Sequence, residues 1–194
     1  EEAIRSAPAA IVLAAGDYQR LVEPVRAAKA AGIKVVCVDS FIATDDADAR
    51  IGTDNVEAGQ KCGAALLKCL ASWRGSGRAR VAVMSYVQGS STAIDRETGL
   101  RAALGERVVA MATTYSDAEA ERAYAQAKEI LEREPRLAGI AALNLPTLLG
   151  AARALAESGR KAGVALVGVD SSDEVMKYLE RGVIRDAIVQ RPFN

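Results

Sequence analysis

Residues 164–171 read VALVGVDS, an unbroken apolar run that ends directly in Asp170 and Ser171. Residues 33–40 read IKVVCVDS and end in a similar way, in Asp39 and Ser40. A short apolar run bounded by polar residues is typical of a strand that is buried on both faces, as the strands of parallel sheets are. The two stretches therefore predict a parallel α/β architecture in which acidic residues lie where two strands end.

Two further apolar runs end in amide side chains. Residues 137–144 read LAGIAALN and end in Asn144, and residues 187–190 read AIVQ and end in Gln190. Side chains at the carboxyl ends of parallel strands face a common crevice, which is where ligands bind. The four carboxylate and amide groups would form a ring of hydrogen-bonding groups suited to a neutral polyol. This pattern favours a small-molecule cleft over a catalytic centre.

The composition of the 194 residues is that of a globular α/β protein, since 50% of them are hydrophobic. The 25 lysines and arginines balance the 25 aspartates and glutamates, so no overall positive field favours nucleic acid or an anionic membrane. No apolar run approaches the roughly 20 residues that span a bilayer. We therefore expect no nucleic-acid partner and no direct insertion into a membrane.

Histidine is absent and the chain has three cysteines. Zinc sites that use histidine, and Ser-His or Cys-His nucleophile systems, are therefore excluded. Cys37 lies in an apolar run and is interpreted as a small buried hydrophobe. Cys62 and Cys69 would lie about 10 Å apart along one helix, too far for a mutual disulfide. We predict no catalytic residues, no metal site and no cofactor.

Short apolar runs alternate with stretches of helical periodicity along the whole chain. The predicted strands are 10–13, 33–38, 80–84, 108–112, 137–143, 164–169 and 183–189. The predicted helices are 2–6, 18–31, 55–73, 92–104, 117–132, 146–157 and 173–181. Strands that alternate with helices indicate parallel βαβ units with right-handed crossovers.

The order of these elements indicates a chain that continues beyond both ends. Only two predicted strands precede Asp39, whereas a stable doubly wound half needs more of them. The series also stops just after a strand tip. We expect one or two further N-terminal βα units and a C-terminal helix outside this sequence.

Six short motifs occur in a fixed order along nearly the whole chain. They are VVCVD at 35–39, GTDNVEAG at 52–59, RETG at 96–99, Asn144, VGVDSS at 167–172 and VQRPF at 189–193. Each motif alone is short, but together they resemble the ribose-binding-protein-like periplasmic sugar-binding proteins of ABC transporters. The effector domains of lac-repressor-type regulators share the fold of these proteins.

The resemblance implies the type I periplasmic binding protein fold, in which two Rossmann-like lobes with parallel sheets flanked by helices close on a sugar. In such proteins a first chain crossing falls near the Asp-Asn pair, here Asp54-Asn55, and a second just after Gln190. Residues 1–53 and 191–194 would then form an incomplete N-terminal lobe. Residues 54–190 would form the C-terminal lobe.

Carried over by motif position, five residues would bind the ligand. Asp39 and Asp170 would accept hydrogen bonds from sugar hydroxyls, and Arg96 would donate to hydroxyl or ring oxygens. Asn144 and Gln190 would each both donate and accept, which suits a hydroxyl group that does the same.

Further ligand-binding candidates are Ser40, Phe41 and Tyr86. Sugar sites need aromatic faces to cover the apolar C–H side of the ring. The aromatic residues at predicted loop positions are Phe41, Tyr86 and Tyr115. Each of them is expected to serve local packing more than to stack on a ligand. Ser40 stands where ribose-type proteins often have Arg. Leu145 follows Asn144, where Asp is common in the family. We therefore expect a polyhydroxylated ligand without expecting ribose itself.

Each ligand candidate also has a local structural interpretation. Asp39 and Asp170 would equally cap the segments that follow, and Asn144 would equally shape a turn before Pro146. Arg96, between two acidic residues of a predicted helix, would equally be an exposed surface charge. The polar residues 54–55 and 90–92 are expected to cap the helices that follow more than to touch ligand.

Three classes of function compete. The first is the solute-binding component of an ABC-type sugar importer. It would bind a monosaccharide or polyol and deliver it to a membrane permease. It would lie in the periplasm or be lipid-anchored outside the cell. The second is the effector-binding domain of a cytoplasmic lac-repressor-type regulator or of a membrane sensor kinase. The third is an enzyme, which the missing histidine, P-loop and GxSxG motif disfavour. The ending 190–193, QRPF, favours the first class by resemblance.

Overall fold

The computed structural model describes residues 2–190, and it contains two wholly parallel sheets flanked by helices. The strands are β1 (Ala10–Leu13), β2 (Lys34–Val38), β3 (Ala49–Ile51), β4 (Ala79–Ser85), β5 (Val108–Tyr115), β6 (Leu137–Ala142), β7 (Ala165–Val169) and β8 (Ile184–Ile188). The helices are α1 (Glu2–Arg5), α2 (Val22–Ala30), α3 (Asn55–Leu70), α4 (Ser91–Leu104), α5 (Ala120–Arg133), α6 (Leu145–Glu157) and α7 (Asp173–Glu180). The predicted α/β class is confirmed.

Two helices begin later than their periodicity predicts, for local reasons. The helix predicted at 18–31 begins at Val22 because the Asp17 carboxylate accepts the N–H groups of Gln19 and Arg20, both at 2.8 Å, and holds a turn. The helix predicted at 117–132 begins at Ala120 because Asp117 and Ala118 have φ angles of 52° and 61°. Left-handed residues cannot continue a right-handed helix.

One prediction about the first sheet is wrong. Two strands were predicted before residue 54, and the structure has three, because β3 pairs in parallel with β2 through Val36↔Ala49 and Val38↔Ile51. This edge strand has only three residues, and all of them are exposed. Neither an apolar run nor an alternation marks such a segment in the sequence, so periodicity could not identify it.

The sheets have the strand orders β1-β2-β3 and β5-β4-β6-β7-β8. In the second sheet the chain leaves β4 toward one edge, to β5, and then returns to the other side of β4 through β6. Such a reversal opens a crevice between the loops that follow the neighbouring strands. Tyr86 directly follows β4, and Asn144 lies two residues after β6, so the topology brings both to this crevice.

The five-stranded sheet is buried on both faces. Helices α3 and α4 cover the face that carries Val81 and Val83, and α5, α6 and α7 cover the face that carries Ala82 and Met84. Cys62 of α3 is fully buried in the first layer, and burial raises the pKa of its thiol to about 12. Cys37 is fully buried under the three-stranded sheet, which confirms its interpretation as a small hydrophobe.

Helices α3 and α4 meet backbone to backbone through two glycines. A Cβ atom on Gly59 would lie 2.1 Å from the carbonyl oxygen of Arg96, and one on Gly99 would lie 2.0 Å from that of Val56. No side chain fits at either position, so only glycine permits this approach. The contact places Arg96 of α4 beside Asn55, the first residue of α3.

The lobe boundaries stay a prediction. The two sheets lie within residues 10–51 and 79–188, and residues 191–194, assigned to the first lobe, are outside the described part of the chain. Within residues 2–190, no helix is both long enough and apolar enough to cross a bilayer.

Candidate functional site at the strand tips

The carboxyl ends of strands from both sheets face one cavity of about 320 Å³. Seven of the eight ligand-binding candidates line this cavity: Asp39, Ser40, Tyr86, Arg96, Asn144, Asp170 and Gln190. They come from both sheets, because Asp39 and Ser40 follow β2, while Asn144, Asp170 and Gln190 follow strands of the five-stranded sheet. Residues far apart in sequence are therefore brought together by parallel strands that end at one edge.

Asp170 follows β7 with a left-handed backbone, φ 80°. Its Oδ2 accepts the N–H of Leu145 at 3.1 Å and lies 3.7 Å from Nη1 of Arg96. Its Oδ1 accepts a hydrogen bond from Nε2 of Gln190. The residue that caps α7 is Ser172, whose Oγ accepts the N–H of Val175 at 3.2 Å. The alternative interpretation of Asp170 as a helix cap is therefore wrong.

Arg96 is only 4% exposed, so its interpretation as a surface charge is wrong. Its Nε donates to Oδ1 of Asn55 at 2.8 Å, and its Nη1 donates to the carbonyl oxygen of Leu143 at 2.8 Å. The guanidinium carbon lies 5.7 Å from the centre of the Tyr86 ring, within the range of a cation–π contact. These contacts fix the orientation of a buried cation at the cavity wall.

Five side chains form a closed ring of polar contacts behind the cavity. Thr53 donates from Oγ1 to Oε1 of Gln190 at 2.7 Å, and Gln190 donates in turn to Asp170. Asp170 lies beside Arg96, and Arg96 donates to Asn55. Asn55 closes the ring by donating from Nδ2 to the carbonyl oxygen of Thr53 at 3.1 Å. The ring links the chain at 53–55 to residue 190, where the two chain crossings are expected.

Asp39 also has a left-handed backbone, φ 60°, and no helix begins after it. Its N–H donates to the carbonyl oxygen of Ile51 at 2.8 Å, which continues the pairing of β2 with β3. Its Oδ2 accepts a hydrogen bond from the Ser40 hydroxyl at 3.0 Å. The helix-cap interpretation is therefore wrong for Asp39, and its exposed carboxylate lies at the cavity instead.

Other polar residues cap helices, as expected for 54–55 and 90–92 and in place of the turn considered for Asn144. Asn144 Oδ1 accepts the N–H of Thr147 at 3.2 Å and caps α6, while the residue is 8% exposed. Asp54 caps α3 and Ser90 caps α4. Because the Asn144 oxygen serves the cap, its Nδ2 is the group able to donate toward the cavity.

The aromatic candidates have different positions. Tyr86 lines the cavity, and burial raises the pKa of its phenol against the opposing effect of Arg96. Phe41 does not line the cavity and packs against the core of the three-stranded sheet. Tyr115 is the last residue of β5, and its hydroxyl donates to Glu97 at 3.1 Å. Phe41 and Tyr115 therefore serve local packing.

The structure adds Ala15, Gly16 and Val87, which were not among the candidates, to the cavity wall, together with Ser90 and Thr92, which were expected mainly to cap a helix. Ala15 and Gly16 come just after β1, so the strand-tip argument that found Asp39 applied equally to them. Thr53 and Asn55 do not line the cavity, but they hold Gln190 and Arg96. No sequence signal identified these two as supports.

The loops of the two sheets also contact each other at the cavity. The Tyr18 N–H donates to the carbonyl oxygen of Gly89 at 2.8 Å, and the Phe41 N–H donates to Oγ of Ser91 at 2.7 Å. Carboxylates at Asp39 and Asp170, a cation at Arg96 and amides at the other strand tips line the cavity. Such a set can bind hydroxyl groups from several directions at once.

A family model described as a periplasmic binding protein domain matches residues 1–194. The D-allose-binding periplasmic protein of Escherichia coli is 28% identical over 181 residues, which cover 89% of this chain and 57% of that protein. A ribose import binding protein of Bacillus subtilis is 22% identical, over 99% of this chain and 61% of the relative. The chain thus spans about six tenths of the length of these curated relatives.

Solved structures show the same relationship. A sugar transporter from Clostridium phytofermentans matches with a TM-score of 0.83 and 35% identity, over 100% of this chain and 68% of the other. A carbohydrate transporter solute binding protein from Agrobacterium radiobacter, in complex with D-arabinose, matches with a TM-score of 0.88 and 25% identity, over 98% and 65% of the two chains. The predicted type I periplasmic binding protein fold is confirmed, and the chain belongs to the periplasmic binding protein family.

Proposed function

We propose that the chain is part of the solute-binding component of an ABC-type sugar importer, and that it binds a neutral monosaccharide or polyol between its two lobes. The observation that carries this proposal is the convergence of Asp39, Arg96, Asn144, Asp170 and Gln190 on one cavity of about 320 Å³. The names of the relatives, which include allose-, ribose- and apiose-binding proteins, support the same ligand class.

The proposed roles follow from the donor and acceptor capacity of each group. The carboxylates of Asp39 and Asp170 accept hydroxyl hydrogens, and the Arg96 guanidinium donates to hydroxyl or ring oxygens. Asn144 donates through Nδ2, and Gln190 both donates and accepts. Tyr86 offers the apolar face for the C–H groups of the ligand, and the Ser40 hydroxyl, whose hydrogen is donated to Asp39, is a further acceptor at the cavity wall.

Binding, and not catalysis, is the proposed activity. Relatives and family are named as binding proteins. Two charged groups of the cavity also make structural contacts, since Asp170 accepts from Leu145 and Gln190 and Arg96 donates to Asn55 and Leu143. The proposed location is the periplasm or the outer side of the cell membrane, and the proposed partner is a membrane permease.

A thermal-shift screen of pentoses, hexoses and inositols on the intact protein tests the ligand class. A ligand that binds the native state alone raises the melting temperature by mass action. We expect at least one sugar or polyol to do so in a concentration-dependent way. Stabilisation by amino acids or nucleobases, with none by any sugar or polyol, would contradict the proposal.

Calorimetric titration of the best ligand then tests the site. Asp170→Ala should weaken binding by about 1.5–3 kcal/mol, the scale of a hydrogen bond to a charged group. Asp173→Ala is the matched control, because this carboxylate is only three residues away but exposed on the first turn of α7. Equal affinities of the two variants would show that Asp170 does not bind the ligand.

A further inference from the structure

A second set of cavities lies at the opposite end of the five-stranded sheet, where its strands begin. Trp73 lines three adjoining cavities of about 310, 450 and 160 Å³. The first shares Gly163 and Val164 with the second, and Ser76 and Arg136 with the third. We call this continuous depression, centred on Trp73 and reaching from Arg78 to Arg185, the Trp73 groove.

The Trp73 groove is strongly basic in a chain of zero net charge. No aspartate or glutamate is among the described residues that line it, whereas six arginines are: Arg74, Arg78, Arg80, Arg136, Arg160 and Arg185. They lie in the first residues of β4 and β8 and in the loops that precede β4, β6 and β7. Because parallel strands begin at one edge, the fold concentrates charges that are dispersed in the sequence.

Some of these arginines are held in place and others extend into solvent. Arg80 pairs with Glu134 through two hydrogen bonds of 2.9 and 3.0 Å, and Arg160 donates to the carbonyl oxygen of Pro135 at 2.9 Å. Arg74 and Arg136 are exposed, and neither makes an ion pair within residues 2–190. The groove therefore combines guanidinium groups fixed at its walls by ion pairs and carbonyl contacts with exposed ones at its rim.

The centre of the groove is apolar. The Trp73 ring lies against the backbone of Gly75, since a Cβ atom on Gly75 would come within 2.1 Å of it. Leu70, Leu137 and Val164 line the cavities beside the ring. A ligand that fills the groove therefore meets an aromatic face and aliphatic groups between the cations.

We propose that the Trp73 groove docks an acidic peptide segment of a partner protein, an extended run rich in Asp and Glu. Arginine forks bind carboxylates in a bidentate manner and keep their charge at every physiological pH. A run of carboxylates along an extended chain meets the arginines on both sides of Trp73, and an apolar side chain within the run packs on the indole ring.

The shape of the groove favours a peptide over the other polyanions. Single-stranded nucleic acid is bound by successive aromatic side chains on which its bases stack. Among the described residues that line the groove, Trp73 is the one aromatic residue, so it could stack a single base. An anionic bilayer presents a flat surface of headgroups. Protruding cations can reach such a surface, whereas recessed cations such as Arg80 and Arg160 cannot. A narrow chain with side-chain carboxylates fits the recess.

Tryptophan fluorescence tests the proposal in the intact protein, because Trp73 is the single tryptophan of residues 1–194 and the difference between the unmodified protein and Trp73→Phe isolates its emission. The probe is a synthetic deca-glutamate peptide, which has no fluorescence of its own. We expect a saturable change in emission that is absent from Trp73→Phe and weakens as salt rises, since exposed charges are screened. Arg74→Gln with Arg136→Gln should weaken binding at least ten-fold.

The matched control removes two exposed arginines from the other side of the molecule, as Arg5→Gln with Arg20→Gln, and should leave binding unchanged. Equal weakening in both double variants would show a general charge effect and overturn the proposal. So would the absence of a saturable change with deca-glutamate. Tighter binding of phosphatidylglycerol vesicles or of oligothymidylate, at equal charge concentration, would also overturn it in favour of those ligands.

Discussion

The two sheets of this protein differ in how completely their faces are covered. Val83 and Val167 of the five-stranded sheet are 0% exposed, because helices pack on both faces. Val12 and Ile51 of the three-stranded sheet are 68% and 63% exposed, because α2 packs on the opposite face only. The same type of strand residue is therefore core in one sheet and surface in the other.

The difference shows how unequally the ligand cavity is supported. Parallel sheets are normally covered on both faces, and within the described residues the three-stranded sheet leaves one apolar face open. Arg96, Asn144 and Asp170 stand on the fully packed side of the cavity. Asp39 and Ser40 stand on the side with the open face. We expect stability and binding experiments to separate the two sides.

The largest expected effect is a clash within the packed side. Gly99→Ala would place a Cβ atom 2.0 Å from the carbonyl oxygen of Val56 and force α3 and α4 apart. Overpacking of this kind costs up to about 3 kcal/mol of unfolding free energy, measurable by urea denaturation. Gly163→Ala is the control, because its nearest heavy atom would lie 4.0 Å away. Equal stability of both variants would contradict the tight helix contact.

A pair of identical substitutions compares the two sheets directly. Val83→Ala should cost about 2 kcal/mol, since it removes two buried methyl groups and leaves a cavity. Val12→Ala should cost less than about 0.5 kcal/mol in a protein of residues 1–194, because that side chain is 68% exposed. Urea denaturation monitored by circular dichroism gives both values. Similar losses would mean that the open face is covered in solution.

The open face should also promote self-association. Val12 lies beside Val36, and Val38 beside Ile51, so the exposed Val12 and Ile51 and the half-buried Val36 and Val38 form a continuous apolar surface that ends, within residues 2–190, at an edge strand. Residues 1–194 should therefore form dimers or larger species at micromolar concentration, as seen by sedimentation velocity. Val12→Asp should shift the population toward monomer.

Met176→Lys provides the control for that experiment. Met176 is 50% exposed on α7, on the five-stranded side of the molecule. If Met176→Lys reduces self-association as much as Val12→Asp does, the contact between copies does not involve the open sheet face. A monomer at all concentrations would show that the exposed face alone does not drive association.

Strand tips were predictable because their position follows from one rule. Parallel strands end at a common edge, so the apolar runs before Asn144, Asp170 and Gln190 were sufficient to place these residues at one cleft. The same rule was available for Gly16 and was not applied to it. Arg96 required the family resemblance, since the pattern of α4 does not show which of its charged residues is buried.

The supports of the site were beyond prediction because they are long-range contacts. Thr53 and Gln190 are 137 residues apart in sequence, and Asn55 and Arg96 are 41 apart. Burial of Arg96 depends on the close approach at Gly59 and Gly99, which only the packed helices reveal. Strand β3 was not predicted because all three of its residues are exposed. A strand that buries no side chain leaves no hydrophobic pattern in the sequence.

The smallest expected effect concerns acid stability on the three-stranded side. Asp48 accepts hydrogen bonds from Lys29 Nζ at 2.6 Å, from the Val35 N–H of β2 at 2.8 Å and from Lys34 Nζ at 3.1 Å. These contacts, with that from Lys29 the largest, hold the pKa of Asp48 below its ordinary value of 3.8.

The unfolded chain therefore binds a proton at Asp48 before the folded chain does as pH falls. The stabilising contribution of Asp48 is complete above about pH 4 and is lost as pH falls through the lowered pKa of the folded state. Melting temperatures between pH 4 and pH 2 should thus fall less steeply for Asp48→Asn than for the unmodified protein, whereas Asp173→Asn, at an exposed carboxylate on α7, should keep the original slope. Parallel slopes in all three proteins would mean that Asp48 does not link α2 to β2 in solution.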